Sequence, residues 1–373
     1  MRSMPIVSDK RLTPFLLLAI LLCAALLRLH HIGESGYNED ESFSIQLASQ
    51  KPGAILSNIE DEPHPPLYYL LLHYWMGMFG ISPTSTRSLS VFFGVVSIFL
   101  MYWMGRLLFS AETGIIAALV LALSAFHIAH SQESRMYSLM VMLTLASMIF
   151  FIKIIRECSN RHLGFYLASS ILLLYTHIYG IFIILSQSVY AALISLNASK
   201  RAPPLPMKKW FAIQALLAAA FIPWMMVLFR QIIGINNGSF VNLDWLPLLT
   251  LSDLFRTVYL YSYYNPLALA LFSLLILSAF IPWEKFGTRT NAKQPYPHLL
   301  LLLWLLVPIL VPFIISAFAI PIYYPKYTIS ASLAFYLLAS RGISQIRGKS
   351  LKGMLLIAVM YLSMASTFFY YQN

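Results

Sequence analysis

The chain has 373 residues, of which 59% are hydrophobic and only 10% are charged, with a formal net charge of +11. An ordinary soluble domain is about one-quarter charged, so this composition excludes a soluble globular protein and indicates a membrane protein. The two cysteines, Cys23 in an apolar run and Cys158 in a basic turn, do not suggest a disulfide framework.

Apolar runs follow one another along the whole chain. A membrane-spanning helix needs roughly 20 mostly apolar residues, and on this criterion we predict an all-α polytopic membrane protein with about 11 transmembrane helices (range about 10–12). We expect a single domain over residues 1–373, with no soluble domain after the last span. The predicted spans are 15–32, 88–106, 113–131, 137–155, 163–177, 179–197, 210–229, 266–283, 298–319, 327–342 and 353–371.

The orientation depends on the apolar run 67–80, which is shorter than a span. Runs of about 10–14 residues are more often re-entrant or interfacial, and we predict that this one does not cross. Most Lys and Arg residues then lie on one side, which the positive-inside rule assigns to the cytoplasm. We therefore expect the N-terminus inside, the C-terminus outside and long outer loops at 33–66 and 230–265. The positive charge indicates topology and not nucleic-acid binding.

The first outer loop opens with an acidic segment. Asn38 and Glu41 have the three-residue spacing of a helix-capping pair, and Phe43 with Leu47 supplies an apolar face. The segment predicts a short juxtamembrane helix that starts near Asp40 and lies on the outer surface. Its acids either cap that helix and keep the loop soluble, or belong to a site at the mouth of the helix bundle.

A second acidic cluster closes the same loop. It contains Glu62 and is followed directly by His64-Pro65-Pro66. Proline keeps the residue before it extended, so the chain should return straight into the aromatic run that begins at Leu67. The two acidic clusters are then expected to meet near the bundle mouth.

A series of short motifs resembles the GT-C superfamily of membrane glycosyltransferases. The resemblance is to the bacterial branch that includes protein O-mannosyltransferase-like enzymes, aminoarabinose transferases acting on lipid A, and rhizobial galacturonosyltransferases. It extends over nearly the whole chain. The motifs are the acidic pair Asp40-Glu41, the His64–Tyr69 segment, Thr86–Ser90, Gly105–Phe109, Ser131–Tyr137, Tyr175–His177 and Tyr324–Tyr327.

This resemblance implies a function and a location. The function is transfer of a sugar from a polyprenyl-phosphate donor to a hydroxyl of a lipid, glycan or protein acceptor. The location is a bacterial inner membrane, with membrane lipid around the chain and the active site on the periplasmic side. Many relatives carry an additional outer soluble domain, whereas this chain ends at Asn373.

The resemblance also implies roles for individual residues. Asp40, followed by Glu41, takes the position of the catalytic base or of the carboxylate that positions the acceptor. The residues expected to bind the donor phosphate or its lipid are Arg135, Lys326, His64 and Tyr327. The residues expected to line the same cavity are Glu62, Glu133, Tyr137 and His177.

The chemistry explains why one carboxylate and several cations suffice. Phosphate is a good leaving group, so the second carboxylate that glycosidases use is unnecessary. One carboxylate within hydrogen-bond reach of the acceptor hydroxyl serves as the base. Arg135 and Lys326 suit the phosphate charge, although cations at helix ends also extend toward lipid headgroups. No cofactor is required, and a divalent metal is possible, although no ligand motif of fixed spacing is present.

Two other classes of protein remain as alternatives. A transporter or lipid flippase would place ionisable residues near the membrane midplane and show internal repeats, whereas the polar residues here gather at one face. A non-enzymatic assembly subunit would tolerate replacement of the outer acids. The aromatic segment 245–264, with Asp253 and Arg256, would cover the cavity or bind the acceptor.

Overall fold

The computed structural model describes residues 12–58, 64–196, 205–236, 249–281 and 296–372. Within these ranges the chain forms α-helices and a 3₁₀ turn at Pro325–Thr328, with no β-strand, so the all-α prediction is confirmed. The helices are α1 (Leu12–Leu29), α2 (Glu39–Ala48), α3 (Pro52–Asn58), α4 (Leu67–Phe79), α5 (Pro83–Leu108), α6 (Ala111–Leu123), α7 (Ala125–Ser131), α8 (Tyr137–Glu157), α9 (Asn160–Leu174), α10 (Gly180–Leu196), α11 (Met207–Asn236), α12 (Ser252–Tyr261), α13 (Pro266–Ala279), α14 (Pro297–Phe318), α15 (Ile329–Gln345) and α16 (Lys349–Gln372).

The described helices provide six to eight candidate membrane spans. Helices α1, α5, α8, α11, α14 and α16 are long and apolar enough individually, and two bent pairs, α6 with α7 and α12 with α13, add one span each if each pair crosses as a unit. The predicted count of about 11 is not confirmed, because the other predicted spans fall on α9, α10 and α15. These have 15, 17 and 17 residues, fewer than the roughly 20 that a bilayer requires.

Helix α15 lies at the centre of the bundle. Every residue from Ile329 to Ile343 is buried, serines included. Its polar side chains bond to neighbouring helices: Ser332 Oγ accepts from His127 Nε2 at 2.8 Å, and Tyr336 OH donates to the Tyr261 carbonyl at 3.0 Å. A helix surrounded by protein needs no apolar surface for lipid, which explains its low hydropathy.

The bend between α6 and α7 is 61° and occurs at Ser124. Its carbonyls are satisfied by Arg28 of α1, which is 1% exposed. Arg28 Nη1 donates to the Ala122 carbonyl at 2.9 Å, and Nη2 donates to the Leu121 carbonyl at 3.2 Å. A cation at a helix C-terminus also interacts favourably with the helix dipole. Arg28 therefore stabilises the break between α6 and α7.

The segment between α1 and α4 contains the short helices α2 and α3, and α2 is the short helix predicted to start near Asp40. The apolar run 67–80 forms α4, whose 13 residues are too few to span a bilayer. Tyr68, Tyr69 and Leu72 of α4 are completely buried, whereas Tyr74 is exposed. His73 Nδ1 donates to the Ala48 carbonyl at 2.8 Å, so α4 packs directly against α2.

Candidate active site

The local sequence determines where α2 begins. The Asn38 side chain accepts a hydrogen bond from the Glu41 amide at 2.8 Å, and the Asn38 amide donates to Glu41 Oε2 at 3.2 Å. This reciprocal capping box confirms the predicted cap. Asp40 therefore lies in the first turn of the helix, where the helix dipole favours a negative charge.

Glu41 forms a buried ion pair with Arg87 of α5. Arg87 Nε and Nη2 donate to Glu41 Oε1 and Oε2, both at 2.8 Å, and the two side chains are only 4% and 1% exposed. Arg87 also donates to the carbonyls of Ile32, Ser35 and Gly36 at 2.7–3.0 Å. One guanidinium thus holds the start of the outer loop, and Glu41 is directed into the protein.

Asp40 is directed the other way, toward Lys326. Lys326 Nζ lies 3.2 Å from Asp40 Oδ2, and the side chains of Asp40 and Lys326 are 52% and 25% exposed. The 3₁₀ turn that carries Lys326 is anchored by the Tyr261 hydroxyl, which donates to the Thr328 carbonyl at 2.8 Å. Two distant chain segments therefore bring a carboxylate and an ammonium together beside open space.

Arg135 lies beneath this pair and is buried. Its Nη1 donates to the Asp40 carbonyl at 3.2 Å, to Ser44 Oγ at 2.9 Å and to the Tyr69 hydroxyl at 3.4 Å. Arg135 therefore connects α2 to α4 from below. Its position also brings a second positive charge close to the Asp40 side chain.

The pKa of the Asp40 carboxyl reflects opposing effects. Burial acts to raise it, but the positive charges of Arg135 and Lys326, together with the Lys326 hydrogen bond, lower the pKa below its ordinary value. Neighbouring cations stabilise the ionised form in this way. Asp40 is therefore a carboxylate at neutral pH, as a proton acceptor must be.

An aromatic cluster lies next to Arg135 and Lys326. The ring centroids of His64 and His177 are 4.8 Å apart, and Tyr327 is 5.6 Å from His64 and 5.1 Å from His177. Tyr137 lies over Tyr327 at 6.3 Å, and Lys326 Nζ is 5.6 Å from the centre of the Tyr137 ring. The cluster thus provides a cation–π contact for Lys326.

The two histidines of this cluster are neutral at physiological pH. Burial, followed by the positive charges of Arg135 and Lys326, lowers the pKa of His177 to about 3. Burial together with His177 and the same two cations lowers the pKa of His64 well below its ordinary value. Both rings therefore contribute packing and hydrogen-bonding capacity to the site rather than charge.

A cavity of about 520 Å³ opens on the other side of Lys326. Glu133 Oε2 lies 3.2 Å from His130 Nδ1 at its edge. Burial acts to raise the pKa of Glu133, but the electrostatic interaction and hydrogen bond with His130, together with the positive charge of Lys326, lower it overall. The cavity has the volume of a small-molecule site. Its lining includes Phe126, His130, Arg256, Tyr264, Tyr324 and Lys326.

Most of the predicted site residues converge. Asp40, Arg135 and Lys326 form one charged group. Around it lie His64 and Tyr327, predicted to bind the donor, and the predicted cavity residues Glu133, Tyr137 and His177. Glu41 is adjacent in sequence but its carboxylate is buried against Arg87. Glu62 lies outside the described residues.

Two residues at the site were not assigned a role from the sequence. Arg87 was visible only as part of a motif, although a charge at the start of an apolar span is itself a sign of a buried partner. His130 stands three residues before Glu133, at the end of α7, and the chain after the helix brings Glu133 back to its ring. The segment around Asp253 and Arg256, expected at the cavity, does line it.

The part of the chain that the structure describes contains no ligand cluster for the possible divalent metal. There, no three His, Cys, Asp or Glu side chains converge in a geometry that could hold a metal ion. A catalytic metal site commonly uses three protein ligands, so these residues do not fit one, and we assign no step of the reaction to a metal.

Comparison with known proteins identifies the architecture. The family model of dolichyl-phosphate-mannose-protein mannosyltransferases matches residues 63–227, a segment that contains His64, Arg87, Arg135 and His177. A search of curated protein sequences finds no match. Solved structures of GT-C enzymes superimpose on nearly the whole chain. This chain has the GT-C fold.

The most informative GT-C structures are two of ArnT from Cupriavidus metallidurans. The apo structure matches with a TM-score of 0.62 and 12% identity, over 92% of this chain and 62% of ArnT. The structure bound to undecaprenyl phosphate matches with a TM-score of 0.57 and 14% identity, over 94% of this chain and 63% of ArnT. The chain thus spans less than two thirds of ArnT.

An oligosaccharyltransferase from Archaeoglobus fulgidus, solved in complex with zinc and sulfate, has the same GT-C fold. It matches with a TM-score of 0.57 and 13% identity, over 94% of this chain and 52% of its own length. At these identities the likeness concerns the fold. The predicted resemblance to the GT-C superfamily is confirmed at that level.

Proposed function

We propose that this protein is a membrane glycosyltransferase that transfers a sugar from a polyprenyl-phosphate donor to an acceptor hydroxyl. The observation that carries the proposal is the contact between the Asp40 carboxylate and the Lys326 ammonium, 3.2 Å apart, beside a cavity on a GT-C fold. It supports Asp40 as the proton acceptor and Lys326 as the neighbouring group that binds phosphate. The lipid in the ArnT complex, undecaprenyl phosphate, supports the donor class.

In the proposed reaction Asp40 is the general base. Its carboxylate accepts the proton of the acceptor hydroxyl while that oxygen forms a bond to the anomeric carbon. The bond from the anomeric carbon to the phosphate oxygen breaks, and the phosphate leaves with the electron pair. A single displacement of this kind inverts the anomeric configuration.

Lys326 and Arg135 are proposed to stabilise the phosphate. Lys326 presents a point charge at the cavity, and cations held in place near developing negative charge lower the barrier. Arg135 is held by three hydrogen-bond acceptors, so its charge is already in place before the substrate arrives. Tyr327, Tyr137 and the neutral ring of His64 would form the wall against which the donor packs.

We also propose a topology of about 11 spans with a cytoplasmic N-terminus and an outer C-terminus, which rests on the length and charge rules for spans. The proposed location is a bacterial inner membrane with a periplasmic site. The proposed transferred sugar is a hexosyl or pentosyl group. The acceptor is a lipid, glycan or protein hydroxyl.

Replacement of Asp40 tests the proposal. The measurement is made in a strain that lacks the gene, in which the wild-type chain restores formation of an envelope glycan. Asp40→Asn should lower the rate of that formation by about 10²- to 10⁴-fold, the usual effect of losing a general base. The matched control is Glu39→Gln, because Glu39 is the exposed neighbour on the same helix turn. Immunoblotting establishes equal abundance of all variants.

The outcome separates the enzyme from its alternatives. Loss of transfer with Asp40→Asn, and retention with Glu39→Gln, supports an enzyme with Asp40 as its base. Full transfer by Asp40→Asn would remove Asp40 from the reaction. The alternative functions would then be a transporter, a lipid flippase or a non-enzymatic assembly subunit.

A further inference from the structure

The His130–Glu133 pair is the part of the cavity that the proposed reaction does not use. The His130 side chain is largely buried between the rings of Phe126 and Tyr137, with centroids 5.0 and 4.9 Å away. Its Nδ1 atom lies 3.2 Å from Glu133 Oε2. The ring thus contacts two aromatic side chains and is held through one of its nitrogens.

The other ring nitrogen has a different setting. Among the described residues, His130 makes a side-chain hydrogen bond only through Nδ1, and His130 lines the cavity together with Lys326 and Arg256. A carboxylate that accepts from one nitrogen of a histidine fixes the orientation of the ring. Nε2 is therefore the ring nitrogen that remains for a ligand, in a cavity that Lys326 and Arg256 also line.

The charge of the donor phosphate changes during the proposed reaction. A sugar linked to polyprenyl phosphate is a phosphodiester with one negative charge. The released phosphate is a monoester whose second ionisation lies near pH 6, so it carries between about −1.5 and −2 at neutral pH. A group that binds the second charge stabilises the product and the late transition state more than the substrate.

We propose that His130, held by Glu133, is a phosphate ligand that responds to this second charge. This inference rests on the proposed function and adds a residue to it. With the leaving phosphate at Nε2 and Glu133 at Nδ1, the ring lies between two anions and can donate a hydrogen bond to each. Lys326 and Arg256 balance the charge of the phosphodiester and of the phosphate monoester alike, whereas His130 favours the monoester.

The surroundings of His130 are compatible with this role. The charged or titratable groups that face the ring or share its surroundings are His127, Glu133, Tyr137, Asp253, Arg256, Tyr264, Tyr324 and Lys326.

The test compares two lipids that differ in one charge. Binding of undecaprenyl phosphate and of its methyl ester is measured for the purified full-length protein in lipid nanodiscs at pH 7.5. The lipid chain is identical, so the ratio of the two dissociation constants isolates the second phosphate charge. Neither lipid carries the sugar, so the identity of the sugar does not affect the comparison.

The expected result is specific to His130. His130→Gln should weaken binding of undecaprenyl phosphate by about 10- to 100-fold, the range expected for a charge-assisted hydrogen bond. The methyl ester should change by less than about 3-fold. Glu133→Gln should produce a smaller change in the same ratio, because it removes the group that holds the ring. The control is His162→Gln at the start of α9, which should leave both constants unchanged.

Other results would overturn the inference, and they do so in distinguishable ways. If His130→Gln leaves the ratio unchanged, or weakens both lipids equally, His130 does not sense the second charge, and the proposed function is unaffected. If the wild-type protein binds neither lipid, the polyprenyl-phosphate donor and this inference fail together. Thermal unfolding of each variant shows whether it is folded, and Glu133→Gln provides the second variant if His130→Gln does not fold.

Discussion

Lys326 and Asp40 form an ion pair of 3.2 Å across a sequence separation of 286 residues. Asp40 is fixed by the cap of α2, and Lys326 is fixed by a 3₁₀ turn that Tyr261 holds through Thr328. Each residue is positioned by its own local structure, so the positions of Asp40 and Lys326 do not depend on the ion pair. This arrangement keeps a carboxylate and an ammonium in place while a substrate enters between or beside them.

The first prediction concerns the pH dependence of transfer. Lys326 and Arg135 lower the pKa of Asp40 against the effect of burial, and a general base is active only when ionised. In the wild type, activity should therefore persist until the pH falls below the ordinary aspartate range. Lys326→Met removes one of the lowering charges, so the pKa rises and activity is lost at a higher pH on the acid side. Transfer rates, normalised to each variant's own plateau, measure the shift.

The control for this shift is Lys51→Met, which removes an exposed lysine between α2 and α3. It changes the net charge by the same amount and should leave the acid limb of the profile in place. An unchanged acid limb in Lys326→Met would mean that the rate does not depend on ionisation of Asp40.

The second prediction concerns the buried pair of Glu41 and Arg87. Removing one partner of a buried ion pair leaves an uncompensated charge and costs about 3–5 kcal/mol. Glu41→Ala should therefore lower the free energy of unfolding by about that amount, because Arg87 loses both carboxylate oxygens. Denaturant unfolding in detergent micelles measures the change.

The control is the pair of Arg256 and Asp253, whose N–O distance is 3.4 Å and whose arginine is 65% exposed. Asp253 is buried but keeps its hydrogen bonds from Thr250 when Arg256 is removed. An ion pair with a solvated arginine contributes about 0–1 kcal/mol, so Arg256→Ala should have little effect on unfolding. Equal losses in the two variants would contradict the structural role given to Glu41 and Arg87.

Particular residues show which parts of this site were predictable from the sequence. The start of α2 and the position of Asp40 followed from the spacing of Asn38 and Glu41, because a capping box is a local interaction. The inward direction of Glu41 depends on Arg87, 46 positions away, and no local pattern specifies that partner. The roles of Asp40 and Lys326 came from ordered motifs that resemble a known superfamily.

The number of spans was the least predictable part of the fold, and α15 shows why. A hydropathy count treats every apolar run as lipid-facing, whereas α15 is enclosed by other helices and carries serines on its buried surface. The bend between α6 and α7 was not predictable for a similar reason. Its carbonyls are satisfied by Arg28 of another helix, a tertiary contact that composition does not reveal.

The third prediction concerns Arg28 at that bend. Arg28→Leu leaves the Ala122 carbonyl without its donor, and a buried polar group without a partner costs about 1–3 kcal/mol. The variant should unfold at a lower denaturant concentration by a corresponding amount, and Arg28→Lys should recover part of the loss. The control is Arg161→Leu, because Arg161 is exposed. If Arg28→Leu is as stable as Arg161→Leu, the bend does not need the guanidinium.

The fourth prediction separates charge from packing among the residues expected to bind phosphate. Burial, His177 and the neighbouring cations lower the pKa of His64 far below neutrality, so its ring carries no charge when a phosphate binds. His64→Gln should therefore change the dissociation constant for undecaprenyl phosphate by less than about 3-fold. Lys326→Met should raise it by about 10- to 100-fold, because a charge-assisted contact is lost.

The comparison requires both variants in the same nanodiscs at pH 7.5, with thermal unfolding to establish that each is folded. His64→Phe is the matched companion, since it keeps the ring contact with Tyr327, 5.6 Å away, and removes both nitrogens. A loss in His64→Gln as large as that in Lys326→Met would mean that His64 contacts the phosphate directly, despite its neutral ring. Retained binding in both His64 variants would assign the phosphate charge to Lys326 and Arg135, with the histidine as part of the wall behind them.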